Sequence, residues 1–370
     1  MSFKIISKED SMVDPYDSLI KTFFTLEFPR ASCLDAATKL EGAMTALLAT
    51  GQVRYGPKPS PEGIVALRDI VRGAIADDRP IPMVSPFGSR KSYLGEPLDV
   101  AEVFAMKQLE GLQKRMIEAY PPGIQVNIRL EDASGPYVFV DEGIPSRAAE
   151  ADYCGTFVKM IDILGFDSFI KPVLESSLFS ERDLTLTADK MLPVMMDYLM
   201  SSDLYGIDDR DSLSGWKTLQ ALGWDNPVAV EQRDYYRGRY KSLYPGLDDR
   251  GATIKLARYF SQAWARQQLN GRGDDPSWNG RYIRLSFIGP VPGSMPSQTL
   301  RDVYYRTIPL RFTEFHTMPW RSKGYLQIDE DGGVTPKLAS WRDKKEYHRN
   351  ELTFTADSVS ATIRADYVLK

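Results

Sequence analysis

Apolar positions recur at helical spacing along residues 34–49, where Leu34, Ala37, Leu40, Met44 and Leu48 share one face. Residues 51–62 break the pattern with Gly, Pro and Ser, which predicts a loop. Ile64, Leu67, Val71 and Ile75 then restore the helical period over residues 64–76. A short apolar run at 81–84 follows and gives way to a polar segment at 85–91. Asp99 and Glu102 have the spacing of a capping box, and the helix they open presents Val103, Met106, Leu112, Met116 and Tyr120. Pro121-Pro122-Gly123 stops it, because proline lacks the amide proton and glycine accepts a left-handed turn.

Beyond this turn the period changes from helical to two. Ile124, Val126, Ile128 and Leu130 alternate with polar residues, which predicts a half-buried strand with Glu131 and Asp132 at its end. Residues 137–140 read as another short strand, followed by a helix carrying Phe157, Met160, Ile161 and Leu164. Residues 172–223 read as mainly helical, and 252–269 as a helix with Ile254, Ala257, Phe260, Ala263 and Trp264. Ile283, Leu285 and Phe287 define one face of a strand, which leaves Arg284 and Ser286 on the other. Three more strands are expected at 325–328, 352–355 and 358–367.

Strand, helix and strand in alternation predict an α/β fold. The expectation is a Rossmann-like mixed sheet with flanking helices and a C-terminal β-rich part. Residues 1–78 form an N-terminal helical segment in this reading. Residues 79–370 form the Rossmann-like catalytic domain, with a helical insertion at about 172–225.

Composition narrows the function classes. With 370 residues, 43% hydrophobic and 26% charged, the chain has material for a sizeable core. Its longest apolar runs fall far short of a membrane span, and residues 1–14 have no signal-peptide core, so a cytoplasmic protein with no membrane partner is expected. Cys33 and Cys154 are distant in sequence and read as reduced, buried thiols. Only two histidines, His316 and His348, are present, without zinc-ligand spacing. No Gly-x-Ser-x-Gly elbow, dinucleotide fingerprint or Walker loop appears either, so no cofactor or metal is expected.

The net charge of −4 conceals an asymmetry. Residues 233–323 hold 16 Lys and Arg against 7 Asp and Glu, a net of +9, so the remainder carries −13. A basic segment in an acidic protein points to a local anionic partner. Four constellations could meet one. Ser85, Ser89 and Lys91 lie in the segment after the first predicted strand, where hydroxyls, amides and cations can hold phosphate. Arg233, Tyr236 and Arg237 interleave cations with aromatic rings. Arg284 and Ser286 share a strand face, which preorganises a guanidinium better than a loop does. His316, Trp320 and Arg321 bring an acid–base group, a ring and a cation together, and Glu131 with Asp132 can orient an amine or hydroxyl. Each constellation also has a plain alternative as a solvated face or a structural contact.

Taken in order, these segments resemble the isocyanide synthase family of pyoverdine and dityrosine biosynthesis. The resemblance rests on a Pro-x-x-Ser-Pro loop with a following Lys (Pro82 to Lys91) and on Asp99-Val100-Ala101-Glu102. It continues with Tyr120-Pro121-Pro122-Gly123, Tyr236-Arg237-Gly238, Ile283-Arg284-Leu285-Ser286 and Pro319-Trp320. It covers about residues 80 to 345. Phe287-Ile288-Gly289-Pro290 stands where the family has Ile-His-Pro, and Arg321 follows Trp320 where the family has His. The family's Ser-Asp-Gly turn is here Glu131-Asp132-Ala133, after Leu130.

The resemblance implies a cofactor-free lyase or transferase. Such an enzyme condenses an amino-acid amine with a phosphorylated sugar of the ribulose 5-phosphate type and leaves one carbon on nitrogen as an isonitrile. Lys91, Arg237 and Arg284 match the family's cationic positions and are the implied phosphate or carboxylate ligands; Glu131, Asp132 and His316 are the acid–base candidates. Two alternatives stay open. One is an amino-acid transferase acting on a phosphorylated nucleotide or nucleic-acid base, as in phage DNA hypermodification. The other is a non-catalytic binding relative.

Overall fold

The computed structural model describes residues 38–50, 61–87, 98, 100–133, 135–139, 147–200, 246, 248–270, 281–286, 307–309, 322–328, 334–340, 349–354 and 359–364. Helix α1 (Lys39–Thr50) starts where Thr38 Oγ1 accepts the amide of Glu41 at 3.1 Å, an N-cap that satisfies one orphan donor. Helix α2 (Pro61–Ala76) begins with proline at its first turn, where the missing amide costs nothing. Of the residues their period selected, Met44, Leu67 and Val71 are buried and Leu40, Leu48, Ile64 and Ile75 partly so, while Leu34 and Ala37 lie outside the described residues.

Strand β1 (Ile81–Phe87) runs three residues beyond the apolar stretch, so Ser85 is within the strand and not in a loop. Helix α3 (Val100–Ala119) returns the chain to the start of β2 (Ile124–Leu130), which pairs with β1 in parallel from Ile81↔Ile124 to Phe87↔Leu130. The turn between them is tightly specified. The Tyr120 hydroxyl is buried and lies 3.1 Å from the carbonyl oxygens of both Ala74 and Arg79, tying α2 to the end of α3. Gly123 has φ +68°, and a Cβ there would come within 2.6 Å of Gln113 Oε1. That same oxygen accepts the amide of Ile124 at 2.7 Å. Gly123→Ala is therefore expected to lose about 2 kcal/mol, from left-handed strain and a displaced Gln113. Urea denaturation should show a lower midpoint with an unchanged m-value.

The predicted strand at 137–140 is instead a helical turn, α4 (Gly135–Phe139). A strand would send Tyr137 and Val138 to opposite faces, whereas the turn buries both against one helical cluster. Helix α5 (Arg147–Ile163) buries Tyr153, Cys154, Phe157, Met160 and Ile161, and Cys154 is not in a disulfide. Strand β3 (Ile170–Leu174) falls partly where a helix was expected; Pro172 is accommodated because β3 is an edge strand. A 3₁₀ turn at Glu175–Ser177 leads into α6 (Glu181–Met200), and α7 (Asp249–Asn270) packs along α6. Strands β4 (Ile283–Ser286) and β5 (Thr307–Pro309) complete the sheet.

The five strands are ordered β3-β2-β1-β4-β5 and every pair among them is parallel. A mixed sheet was expected; the antiparallel pairs instead form a separate sheet. That second sheet is ordered β7-β6-β8-β9, from β6 (Ser322–Ile328), β7 (Val334–Ser340), β8 (Arg349–Phe354) and β9 (Val359–Arg364). Strand β7 was not foreseen, since Pro336 interrupts its pattern, but as an edge strand it tolerates proline.

One core joins α1, α2, α3 and α5 to the sheet residues Met83, Phe87, Val126, Ile128, Ile170, Ile283 and Leu285. A second gathers α4, α6 and α7. The register decides which side chains share a sheet face. Val84 is level with both Asn127 and Arg284, so these three and Arg129 lie on one face, and Met83, Ser85 and Phe87 lie on the other. Among the described residues no helix is long and apolar enough to cross a membrane.

Candidate functional site

In this order the chain proceeds outward from β1 to β3, then crosses back to place β4 on the other side of β1. Such a crossover opens a crevice at the carboxyl ends of the strands, where open parallel sheets bind ligands. Among the described residues, Arg129, Glu131, Glu175 and Arg266 meet there, and Arg284 lies on the same sheet face nearby. Arg129 is the penultimate residue of β2, Glu131 follows β2, and Glu175 follows β3. Arg266 reaches in from α7, and Arg284 is on β4.

The ion pairs are specific. Glu131 Oε1 accepts from Arg129 Nη2 at 3.3 Å and Arg266 Nη2 at 3.2 Å. Glu175 Oε1 accepts from Arg266 Nε at 2.6 Å and stands 3.9 Å from Arg129 Nη2. The set is graded in depth: side-chain exposure is 25% for Glu131, 8% for Arg266, 3% for Arg129 and zero for Glu175. Glu175 is thus an anchor behind two arginines that hold Glu131 at the front.

Burial pushes the Glu131 carboxyl up, but Arg266 and Arg129 outweigh it and hold the group below its ordinary value. Arg284 feels the opposite balance. Burial lowers it most; Tyr259 and Glu131 oppose that, and Arg129 and Arg266 add to it, leaving the guanidinium at about 10. It stays charged at neutral pH, near the Arg129 and Arg266 guanidiniums and the Glu131 carboxylate. No acidic side chain within ion-pair distance of Arg284 occurs among the described residues. Tyr259, 43% exposed, is near enough to influence it.

Of the residues singled out in sequence, Glu131 and Arg284 come together. Asp132 is beside them but otherwise engaged: its Oδ1 accepts the Ser176 amide at 2.8 Å and its Oδ2 accepts the Ser176 hydroxyl. It thereby fixes the turn that carries Glu175. Ser85 does not join the group. Its register sends it to the sheet face opposite Arg284, where it is fully buried and its hydroxyl has no hydrogen-bond partner among the described residues. Ser286 is the last residue of β4, at the same sheet end. Ser89, Lys91, Arg233, Tyr236, Arg237, His316, Trp320 and Arg321 lie outside the described residues.

Sequence reasoning missed Arg129, Glu175 and Arg266. A faint signal existed for the first, since the alternation that buries Ile124, Val126, Ile128 and Leu130 places Asn127 and Arg129 on one shared face. A charged residue buried there requires counter-charges from elsewhere.

The parallel order defines an α/β fold, with a cluster of charged side chains near its strand crossover. Comparison with solved structures agrees on the fold. The PvcA protein from Pseudomonas aeruginosa superposes with a TM-score of 0.50 at 17% identity, over 87% of this chain and 98% of that one. No family model matches the sequence, and no curated protein does either.

Proposed function

We propose that the chain is an isocyanide-synthase-like enzyme that condenses an amino-acid amine with a phosphorylated sugar of the ribulose 5-phosphate type, without a cofactor. The observation that carries this reading is Arg284: a guanidinium on a strand next to the crossover, close enough to Arg129, Glu131 and Arg266 to feel their charges. The fold shared with PvcA, a protein of the pyoverdine/isonitrile synthase family, supports it.

In this reading Arg284 takes the phosphate or carboxylate by bidentate pairing. Glu131, held ionised at the front of the cluster, receives the substrate ammonium. A carboxylate so stabilised is a weak base, so it orients the amine and leaves proton removal to another group, for which the family resemblance offers His316. Asp132 acts as a positioning residue through Ser176. Lys91 and Arg237 are the further anion ligands the resemblance implies, and Ser89, Arg233, Tyr236, Trp320 and Arg321 are the other candidates.

Incubating the protein with each amino acid and fully ¹³C-labelled ribulose 5-phosphate tests the reading. One labelled carbon on the amino nitrogen is expected; no transfer to any amino acid would refute it. The alternative acceptor, a nucleotide or DNA base, is favoured by the +9 charge of residues 233–323. Salt-dependent DNA binding without sugar-phosphate turnover would select it.

A further inference from the structure

We propose that Tyr259 is a further substrate-contacting residue, whose phenol donates a hydrogen bond to the anion that Arg284 holds; this rests on the anion site proposed above. Along α7, Lys255, Tyr259, Gln262 and Arg266 follow at intervals of four, three and four residues, which places them on one face of the helix. Leu256, Ala257, Phe260 and Trp264 belong to the other side, in the apolar cluster with α6. The polar stripe is not a solvated face, because Lys255, Gln262 and Arg266 are each more than nine-tenths buried. Tyr259 is the one of the four that opens to solvent, and it is 43% exposed with all its contacts in place.

Arg266 fixes where the stripe faces, since it pairs with Glu131 and Glu175 beyond the ends of β2 and β3. Tyr259 lies seven residues back along the helix, a rise of about 10 Å. Strand β4 lies two strands from β2, which is also about 10 Å. The stripe is therefore long enough to reach from the Glu131 cluster to β4. Tyr259 is close enough to Arg284 to act on its charge, and Arg284 is itself partly exposed. An arginine fork engages two oxygens of a phosphate or sulfate and leaves the others in need of donors. A phenol supplies one donor without adding charge.

The test is calorimetric titration of the full chain with sulfate, whose charge does not change near neutrality, and with ribulose 5-phosphate. Melting temperature is read on the same samples. Tyr259→Phe keeps the ring and its edge contact with Phe260, and removes only the hydroxyl. It should bind both ligands about tenfold more weakly, at an unchanged melting temperature. Arg284→Lys should weaken both as well. Wild-type affinity in Tyr259→Phe, while Arg284→Lys binds more weakly, overturns this inference and leaves the anion site standing. A loss in Tyr259→Phe with none in Arg284→Lys puts the anion away from Arg284 and overturns it too. A melting temperature that falls along with affinity gives Tyr259 a structural role and likewise overturns it. Absence of binding of either ligand by wild type overturns the anion site itself, and this inference with it.

Discussion

Arg266→Leu should cost about 3–5 kcal/mol of stability, the largest effect expected from any single change at the site. The arginine is nearly buried, and it is the close partner of Glu175, which has no exposure at all. Removing it leaves a carboxylate sealed in the protein whose nearest cation among the described residues is Arg129 at 3.9 Å. The leucine fills part of the volume but supplies no donor. The loss should depend on pH in a defined direction. Arg266 helps hold the Glu131 carboxyl below its ordinary value of 4.5, so its contribution is fully present above that value. It fades as pH falls through the depressed folded value, because the protonated acid no longer needs the cation. The gap between wild type and variant in denaturant midpoint should therefore be widest near neutrality and narrow in acid. A gap that stays constant or widens in acid would show that Arg266 acts through packing alone.

The second large effect is on binding. Arg284→Lys should leave the fold almost unchanged, since neighbouring Ile283 and Leu285 supply the buried face of β4. It should weaken phosphate-ester binding by roughly 10- to 150-fold, the equivalent of one lost charge-assisted contact of about 1.5–3 kcal/mol. Lysine keeps the charge but not the planar fork, so the loss reads geometry more than electrostatics. If Arg284 were only a structural ion pair, melting temperature would fall and affinity per folded molecule would not. Both quantities can be measured on one preparation.

Much of the fold was legible because side-chain period and burial coincide. The helices at residues 39–50, 61–76 and 249–270 and the strands at 124–130 and 283–286 all announced themselves through positions that turned out to be core. What failed were segments whose local signal was overridden by position in the sheet. Pro172 and Pro336 argued against strands, yet β3 and β7 lie at sheet edges, where a missing amide proton is tolerated. Tyr137 and Val138 favour a strand by residue type, yet the apolar cluster formed with α6 and α7 takes both from a helical turn.

The site was half legible for a related reason. Arg284 and Glu131 could be found because each sits at a recognisable place on a strand. Glu175 and Arg266 are separated by 91 positions in sequence and meet only after β3 and α7 have docked. No local pattern marks such a pair. The error over Ser85 has the opposite origin: the strand continues past the apolar run, and each added residue reverses the face to which the next side chain points.

The most direct test of the account is a crystal structure of the chain bound to ribulose 5-phosphate. The phosphate, or the carboxylate of a co-bound amino acid, should lie about 2.7–2.9 Å from the Arg284 guanidinium, with Glu131 beside it and Glu175 still buried behind Arg129 and Arg266. Sugar phosphate and amino acid bound elsewhere, with Arg284 touching neither, would contradict it.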